Sequence, residues 1–136
     1  AFVVDNSVVC GWVIGNQSMG YTEAVASRLL DESAHAPALW QLEFANVLRS
    51  ACKRAALDAQ DAHEIIEQIA ALSILIDRDS QGRSDSILAL RYDLTSYDAA
   101  YLELALRLQR PIATQDAALT EAARAAGVGV LKVATR

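Results

Sequence analysis

The sequence predicts an open α/β domain whose parallel sheet is covered by helices on both faces. Three observations carry that expectation. The last third of the chain alternates helix and strand patterns, and strands separated by helices pair in parallel through right-handed crossovers. Hydrophobic residues make up 53% of the chain and aromatic ones 6%, with 6 Gly and 2 Pro, a helix-rich globular composition. At 136 residues the chain is one domain's worth, so residues 1–136 are expected to form a single domain.

The elements follow in order. AFVV (1–4) is a short apolar run ending in Asp5-Asn6-Ser7, which reads as a strand followed by a helix N-cap signal. VVCGWVIG (8–15) reads as a short helix ending near Gly15, and TEAVASRLLDESA (22–34) as a helix that Thr22 could cap. Pro37-Ala38-Leu39 is a poor strand candidate. A long helix is expected from about Trp40 to Leu57, another over DAHEIIEQIAAL (61–72), a strand at SILI (73–76) and a helix over SDSILALRYDL (84–94). Thr95 to Arg110 reads as a helix, PIAT (111–114) as a strand, Asp116 to Ala126 as a helix stopped by Gly127, and VGVLKV (128–133) as a final strand. In the Thr95 helix only Glu103, Arg107 and Arg110 form a polar stripe, so this helix should pack centrally.

The net charge of −5 argues against a protein that coats nucleic acid by bulk electrostatics, though not against a nuclease with an acidic site. No apolar run is long enough to cross a bilayer, and no charged segment followed by an apolar one opens the chain, which begins at Ala1. Cys10 and Cys52 lack metal-ligand spacing and read as buried free thiols of a reducing cytosol. A cytoplasmic protein without a membrane partner is the expectation.

In α/β sheets of this kind ligands collect where strands end and helices begin. Four acids fall at such points: Asp5 after the first strand, Asp116 after PIAT, Asp98 at the start of the central helix, and Glu43 in the first turn of the Trp40 helix. Each has a structural explanation. Asp5 and Asp116 could be N-caps, Thr95-Ser96-Tyr97-Asp98 resembles a capping box, and Glu43 suits a helix N-terminus. Jointly they read differently. If Asp5 and Asp116 end neighbouring parallel strands, their side chains lie about a strand spacing apart, ~4.8 Å, and helices starting at that edge bring in Glu43 and Asp98. Ionised carboxylates so close must protonate or meet a cation. An all-oxygen set without His or Cys suits Mg²⁺ or Mn²⁺ rather than zinc, and such cations serve in-line attack on a phosphodiester.

VVDNSV, PALWQLEFANVL, LTSYDAAYLELALRL and PIATQDAALTEAARAAGV together resemble the PIN-domain ribonucleases, and especially the VapC toxins of bacterial toxin–antitoxin pairs. The resemblance runs end to end and keeps the order Asp, Glu, Asp, Asp. It implies a three-layer α/β/α fold with a central parallel sheet of order 3-2-1-4-5, and a Mg²⁺- or Mn²⁺-dependent RNA endonuclease. It also implies a homodimer and a tight-binding VapB-like antitoxin that occludes the site. Carried over by motif, Asp5, Glu43, Asp98 and Asp116 are the catalytic, metal-binding acids. Ser7 and Thr114 match small hydroxyl positions beside them, which would hold a carboxylate or a metal-bound water. Gln115 departs from the pattern, standing where the family often has an apolar residue.

Other features have plainer readings. Asp77 and Asp79 follow an edge strand and read as turn and cap residues. His35 and His63 read as solvated, the Arg49–Lys53 pair as a solvated helix face, and Trp12 and Trp40 as core or interface. A receiver-type phospho-acceptor domain is the main rival, since Asp5, Asp77, Thr114 and Lys132 mimic its order of functional residues. However, Asn6 and Ser7 stand where a second acid is needed, no Pro follows Lys132, and too many helices separate Asp5 from Asp77. A PIN fold used only for binding, and a PIN nuclease acting in RNA processing outside any toxin pair, are the remaining alternatives.

Overall fold

A computed structural model describes residues 1–14, 20–79 and 81–132. Four strands and seven helices alternate along these residues: β1 (Phe2–Val4), α1 (Asn6–Val13), α2 (Gly20–Arg28), β2 (Ala34–Pro37), α3 (Leu39–Lys53), α4 (Ala59–Ala70), β3 (Ile74–Asp77), α5 (Gly82–Tyr92), α6 (Ser96–Leu108), β4 (Ile112–Ala113) and α7 (Ala117–Ala125). All strand pairings are parallel, in the order β3-β2-β1-β4.

That order fixes the layers. The crossovers β1 to β2 and β2 to β3 run one way across the sheet, whereas β3 to β4 returns past β1. With one handedness throughout, α1 to α4 cover one face and α5 and α6 the other, giving the expected α/β/α sandwich. Helix α6 packs against β1, β2 and β4 and is flanked by α5 and α7. Every residue from Ala99 to Ala105 in it is buried, as its nearly continuous apolar run predicts. Its one charged residue within that run, Glu103, is held by Arg107 through Nε and Nη2, and Arg107 also donates two hydrogen bonds to Asp77 at the end of β3 (3.2 and 2.7 Å). The guanidinium thus ties the central helix to the edge strand.

The sheet departs from the expected 3-2-1-4-5 order at its far edge. Among the described residues the final segment forms one isolated parallel bridge, Ile112 to Val130, and not a fifth strand. Two hydrogen bonds make it, Ile112 N–H to Gly129 O (2.9 Å) and Leu131 N–H to Ile112 O (2.7 Å). A template only two residues long, β4, offers little more to pair with. Position 133 of the expected strand, and the expected helix end at Gly15, lie outside the described residues.

A second difference is β2. The segment expected to end one helix and make a poor strand is an interior strand, paired on both sides. Ala34 and Ala36 have weak strand propensity, but both are fully buried on one face of the sheet, where small side chains fit under a covering helix, and tertiary context overrides the local preference. Pro37 stands at the strand's end, where a missing N–H costs least. His35, expected to be solvated, is half-buried in this strand, and burial pushes its pKa down. Helix α3 starts at Leu39 with no acid in its first turn, so Glu43 lies just beyond that turn.

Helix ends follow local chemistry. Asp58 caps α4 and Thr95 caps α6, each accepting from an amide three residues on (2.8 and 3.1 Å). Left-handed Asp93 and Gln109 stop α5 and α6, and Gly127, at φ +79°, follows α7. Both cysteines are free. No helix among the described residues is long and apolar enough to cross a membrane.

Candidate active site

Strand order reverses between β1 and β4, because β1 leads to β2 on one side and the chain returns to β4 on the other. In open α/β sheets the crevice beyond the strand ends at such a point is where ligands bind. Asp5 and Asp116 stand there. The Asp5 amide donates to the Ala113 carbonyl (3.0 Å), which carries the β1–β4 ladder one residue past the strand and sets Asp5 beside Thr114.

Asp5 occupies the N-cap position of α1, yet its side chain makes no cap hydrogen bond. It is buried, and its Oδ2 accepts from the hydroxyls of Ser7 (2.8 Å) and Thr114 (2.7 Å). Burial raises its pKa above the ordinary value, the two hydroxyls pull it back, and the charge of Asp116 raises it again. Thr114 Oγ1 also accepts from the Asp116 amide (3.0 Å), and Ser7 Oγ from the Gln115 amide (3.0 Å). Gln115, the departure from the family pattern, donates through Nε2 to the Ser7 carbonyl (3.0 Å). Its side chain therefore clamps the loop after β4 onto the first turn of α1. Two expected hydroxyl residues and one unforeseen amide lock the Asp5 and Asp116 backbones together.

Asp116 does cap α7, through Oδ2 and the Leu119 amide (3.0 Å). It also faces Asp98. Thr95 satisfies the Asp98 amide (3.1 Å), so the capping role belongs to Thr95 and the Asp98 carboxyl is left for the crevice. Its pKa is pushed up to about 7, by burial first, then by the charges of Asp116 and Asp5, a hydrogen bond with Asp116, and Glu43. Glu43 arrives from the opposite layer on α3. Its pKa is raised by burial and by Asp5, and lowered by a hydrogen bond from Tyr101 to Oε1 (2.6 Å). Burial, Asp5 and Glu43 also push the nearby Cys10 thiol up to about 12, which keeps it protonated and inert.

Asp98 on α6 thus lies within electrostatic reach of Asp5 and Asp116 at the ends of β1 and β4 and of Glu43 on α3. Among the described residues no lysine or arginine forms an ion pair with any of them. The set is all oxygen and has no ion-paired lysine or arginine among the described residues, which fits a hard divalent cation in its chemistry. Geometry is less complete: as the side chains lie, no group of three or more acidic, His or Cys residues among the described ones is drawn together closely enough to hold an ion.

The other candidates stand apart. Asp77 is taken up by Arg107 at the end of the edge strand, so the phospho-acceptor of the receiver reading is occupied. The cavity between α3, α4 and β3, about 440 Å³ and lined by apolar residues including Trp40, Phe44 and Ile69, contains none of the four acids. Tyr101 was not foreseen as a site residue. The available signal was its spacing, one helical turn after Asp98 on the same face, and a phenol inside a mostly apolar buried run.

No family profile matches the sequence, and no curated protein matches it. Solved structures do match. PAE2754 from Pyrobaculum aerophilum is 19% identical, with a TM-score of 0.71 over 89% of this chain and 84% of that one. FitAcB from Neisseria gonorrhoeae is 16% identical, with a TM-score of 0.68 over 97% of each chain. A chain in a toxin–antitoxin complex from Klebsiella pneumoniae is 15% identical, with a TM-score of 0.67 over 100% of both. At these identities the likeness is one of fold, a PIN-like α/β sandwich spanning the whole domain.

Proposed function

We propose that this chain is a divalent-metal-dependent endoribonuclease, a VapC-like toxin restrained by a cognate VapB-like antitoxin. The observation that carries the reading is the convergence of Asp5, Glu43, Asp98 and Asp116 at the strand-order reversal without a compensating cation of the protein's own. The end-to-end sequence resemblance supplies the substrate class. The fold shared with a chain of a toxin–antitoxin complex supports the antitoxin partner, and a homodimer belongs to the same reading.

Asp5, Asp98 and Asp116 would hold Mg²⁺ or Mn²⁺, with Glu43 as a further ligand, directly or through a bound water. Bound there, the ion would supply a Lewis acid for a water molecule and for the charge developing on the phosphate oxygens. The chain's own groups do the positioning. Ser7 and Thr114 fix the rotamer of Asp5, the cap bond to Leu119 fixes Asp116, and Thr95 sets the first turn that aims Asp98. The raised Asp98 carboxyl ionises readily once a positive charge arrives. Glu43, with one oxygen held by Tyr101, has a second with which to orient the attacking water and take its proton. Water adds to phosphorus, one ester P–O bond breaks, and the departing oxygen takes a proton. No covalent enzyme intermediate is required.

The test is digestion of a total RNA pool by the purified protein in Mg²⁺ or Mn²⁺ and in EDTA, with analysis of the new ends. Discrete cuts that need the metal and leave no cyclic phosphate are expected. Cyclic 2′,3′-phosphate ends would mean that the RNA's own 2′-hydroxyl attacks, and would overturn the water mechanism. Absence of cuts by antitoxin-free, metal-loaded protein would favour a binding-only PIN fold.

A further inference from the structure

Among the side chains around the four acids, Tyr101 is distinguished by complete burial, at 0% exposure. It lies on α6 one turn beyond Asp98, on the same face. Its hydroxyl donates to Glu43 Oε1 at 2.6 Å, across 58 residues of sequence, and the Asn6 amide faces the phenol oxygen from the first turn of α1. Burial and the adjacent Glu43 push the phenol pKa far up, so it remains a hydrogen-bond donor at any working pH. Its neighbours along the helix are Ala99, Ala100, Leu102 and Leu104, all buried. A phenylalanine would fill the same volume in that packing, so the hydroxyl itself answers to Glu43. Among the described residues Glu43 has no other hydrogen-bond partner.

We propose that Tyr101 is a positioning residue that occupies one oxygen of Glu43 and so leaves a single oxygen, Oε2, for the acid cluster. The inference rests on reading that cluster as a divalent-cation site. A carboxylate limited to one oxygen suits small, octahedral Mg²⁺, which keeps several waters; larger Ca²⁺ takes more oxygens and accepts bidentate carboxylates. Tyr101 therefore contributes to the choice of ion as well as to its affinity. Removal of the hydroxyl lets Glu43 swing and offer both oxygens.

The experiment is calorimetric titration of Mn²⁺ into wild type, Tyr101→Phe, Glu43→Gln and the double variant, with Mg²⁺ and Ca²⁺ as competitors. Thermal melts verify that each is folded. Tyr101→Phe is expected to weaken Mn²⁺ binding by about 10-fold, the lower end of the cost of losing an outer partner of a metal ligand. It should also move the competition toward Ca²⁺ relative to Mg²⁺, and have no further effect when Glu43 is already Gln. A purely structural tyrosine would change stability without changing the ratio of the two competitors. Wild-type affinity and ion preference in Tyr101→Phe would overturn the inference alone, as would an equal loss in the Glu43→Gln background. Failure of the wild type to bind any divalent ion would overturn the metal reading itself, and the inference with it.

Discussion

On the proposed reading, Asp98→Asn is expected to abolish RNA cleavage, by more than ~100-fold, while making the metal-free protein more stable at alkaline pH. The first effect should exceed the 10- to 100-fold cost of disturbing a partner of a metal ligand, because the proposal makes Asp98 a ligand itself. The second follows from the raised carboxyl. Asp98 titrates at about 7 in the folded chain against an ordinary value of 3.8. The folded state therefore binds the proton more tightly than the unfolded state does. Its contribution to stability is fully present below pH ~4 and is lost as pH rises through about 7. Asparagine keeps the shape and cannot ionise, so the variant escapes that loss. The carboxyl is half-exposed, and after solvent screening the gain is on the order of 1–2 kcal/mol, a few degrees in Tm. Melts in EDTA should show the variant's advantage growing between pH 4 and 8. An active variant, or one less stable than wild type at pH 8, would contradict the assignment. Opposite signs for activity and metal-free stability distinguish a charged ligand from a mere helix residue.

Thr114→Val is expected to lower both stability and cleavage activity, and Thr114→Ser to restore both. Valine has nearly the same shape but no hydroxyl. Thr114 is 5% exposed, and its Oγ1 serves two partners, donating to Asp5 Oδ2 and accepting from the Asp116 amide. Its loss leaves a buried carboxylate short of a donor and a half-buried amide without an acceptor. Each orphan costs about 1–3 kcal/mol, so the expected total is roughly 2–6 kcal/mol, much of a small domain's margin. Asp5 is also freed to rotate away, and cleavage should fall by about 10- to 100-fold. Denaturant melts and cleavage rates on the three proteins check both effects. A fully active and stable Thr114→Val would show that the hydroxyl is incidental.

Much of this site was legible because it depends on strand ends. Once β1 and β4 are recognised and paired in parallel, Asp5 and Asp116 must share an edge, and the capping pattern Thr95-x-x-Asp98 places the third acid. The sequence could not separate the two readings of each aspartate, because cap and ligand use the same residue type. The structure shows which of them cap: Asp5 caps nothing, Thr95 and not Asp98 does the capping on α6, and Asp116 caps while facing the crevice. What stayed hidden was tertiary. Ala34-His35-Ala36-Pro37 has no strand signature of its own and becomes a strand only between β1 and β3. The final segment carries a better strand pattern, yet forms one bridge beside a two-residue partner. Tyr101 and Gln115 act through partners 58 and 108 positions away, beyond the reach of any local pattern.

The most direct test of the four-acid site is anomalous diffraction from crystals grown with Mn²⁺. The expected result is a peak within direct coordination distance, about 2.1 Å as for a six-coordinate divalent ion, of carboxylate oxygens of Asp5, Asp98 and Asp116, with the side chains drawn inward around it. An empty crevice at saturating Mn²⁺, or a peak held by other residues, would contradict the central claim that these acids form one metal site.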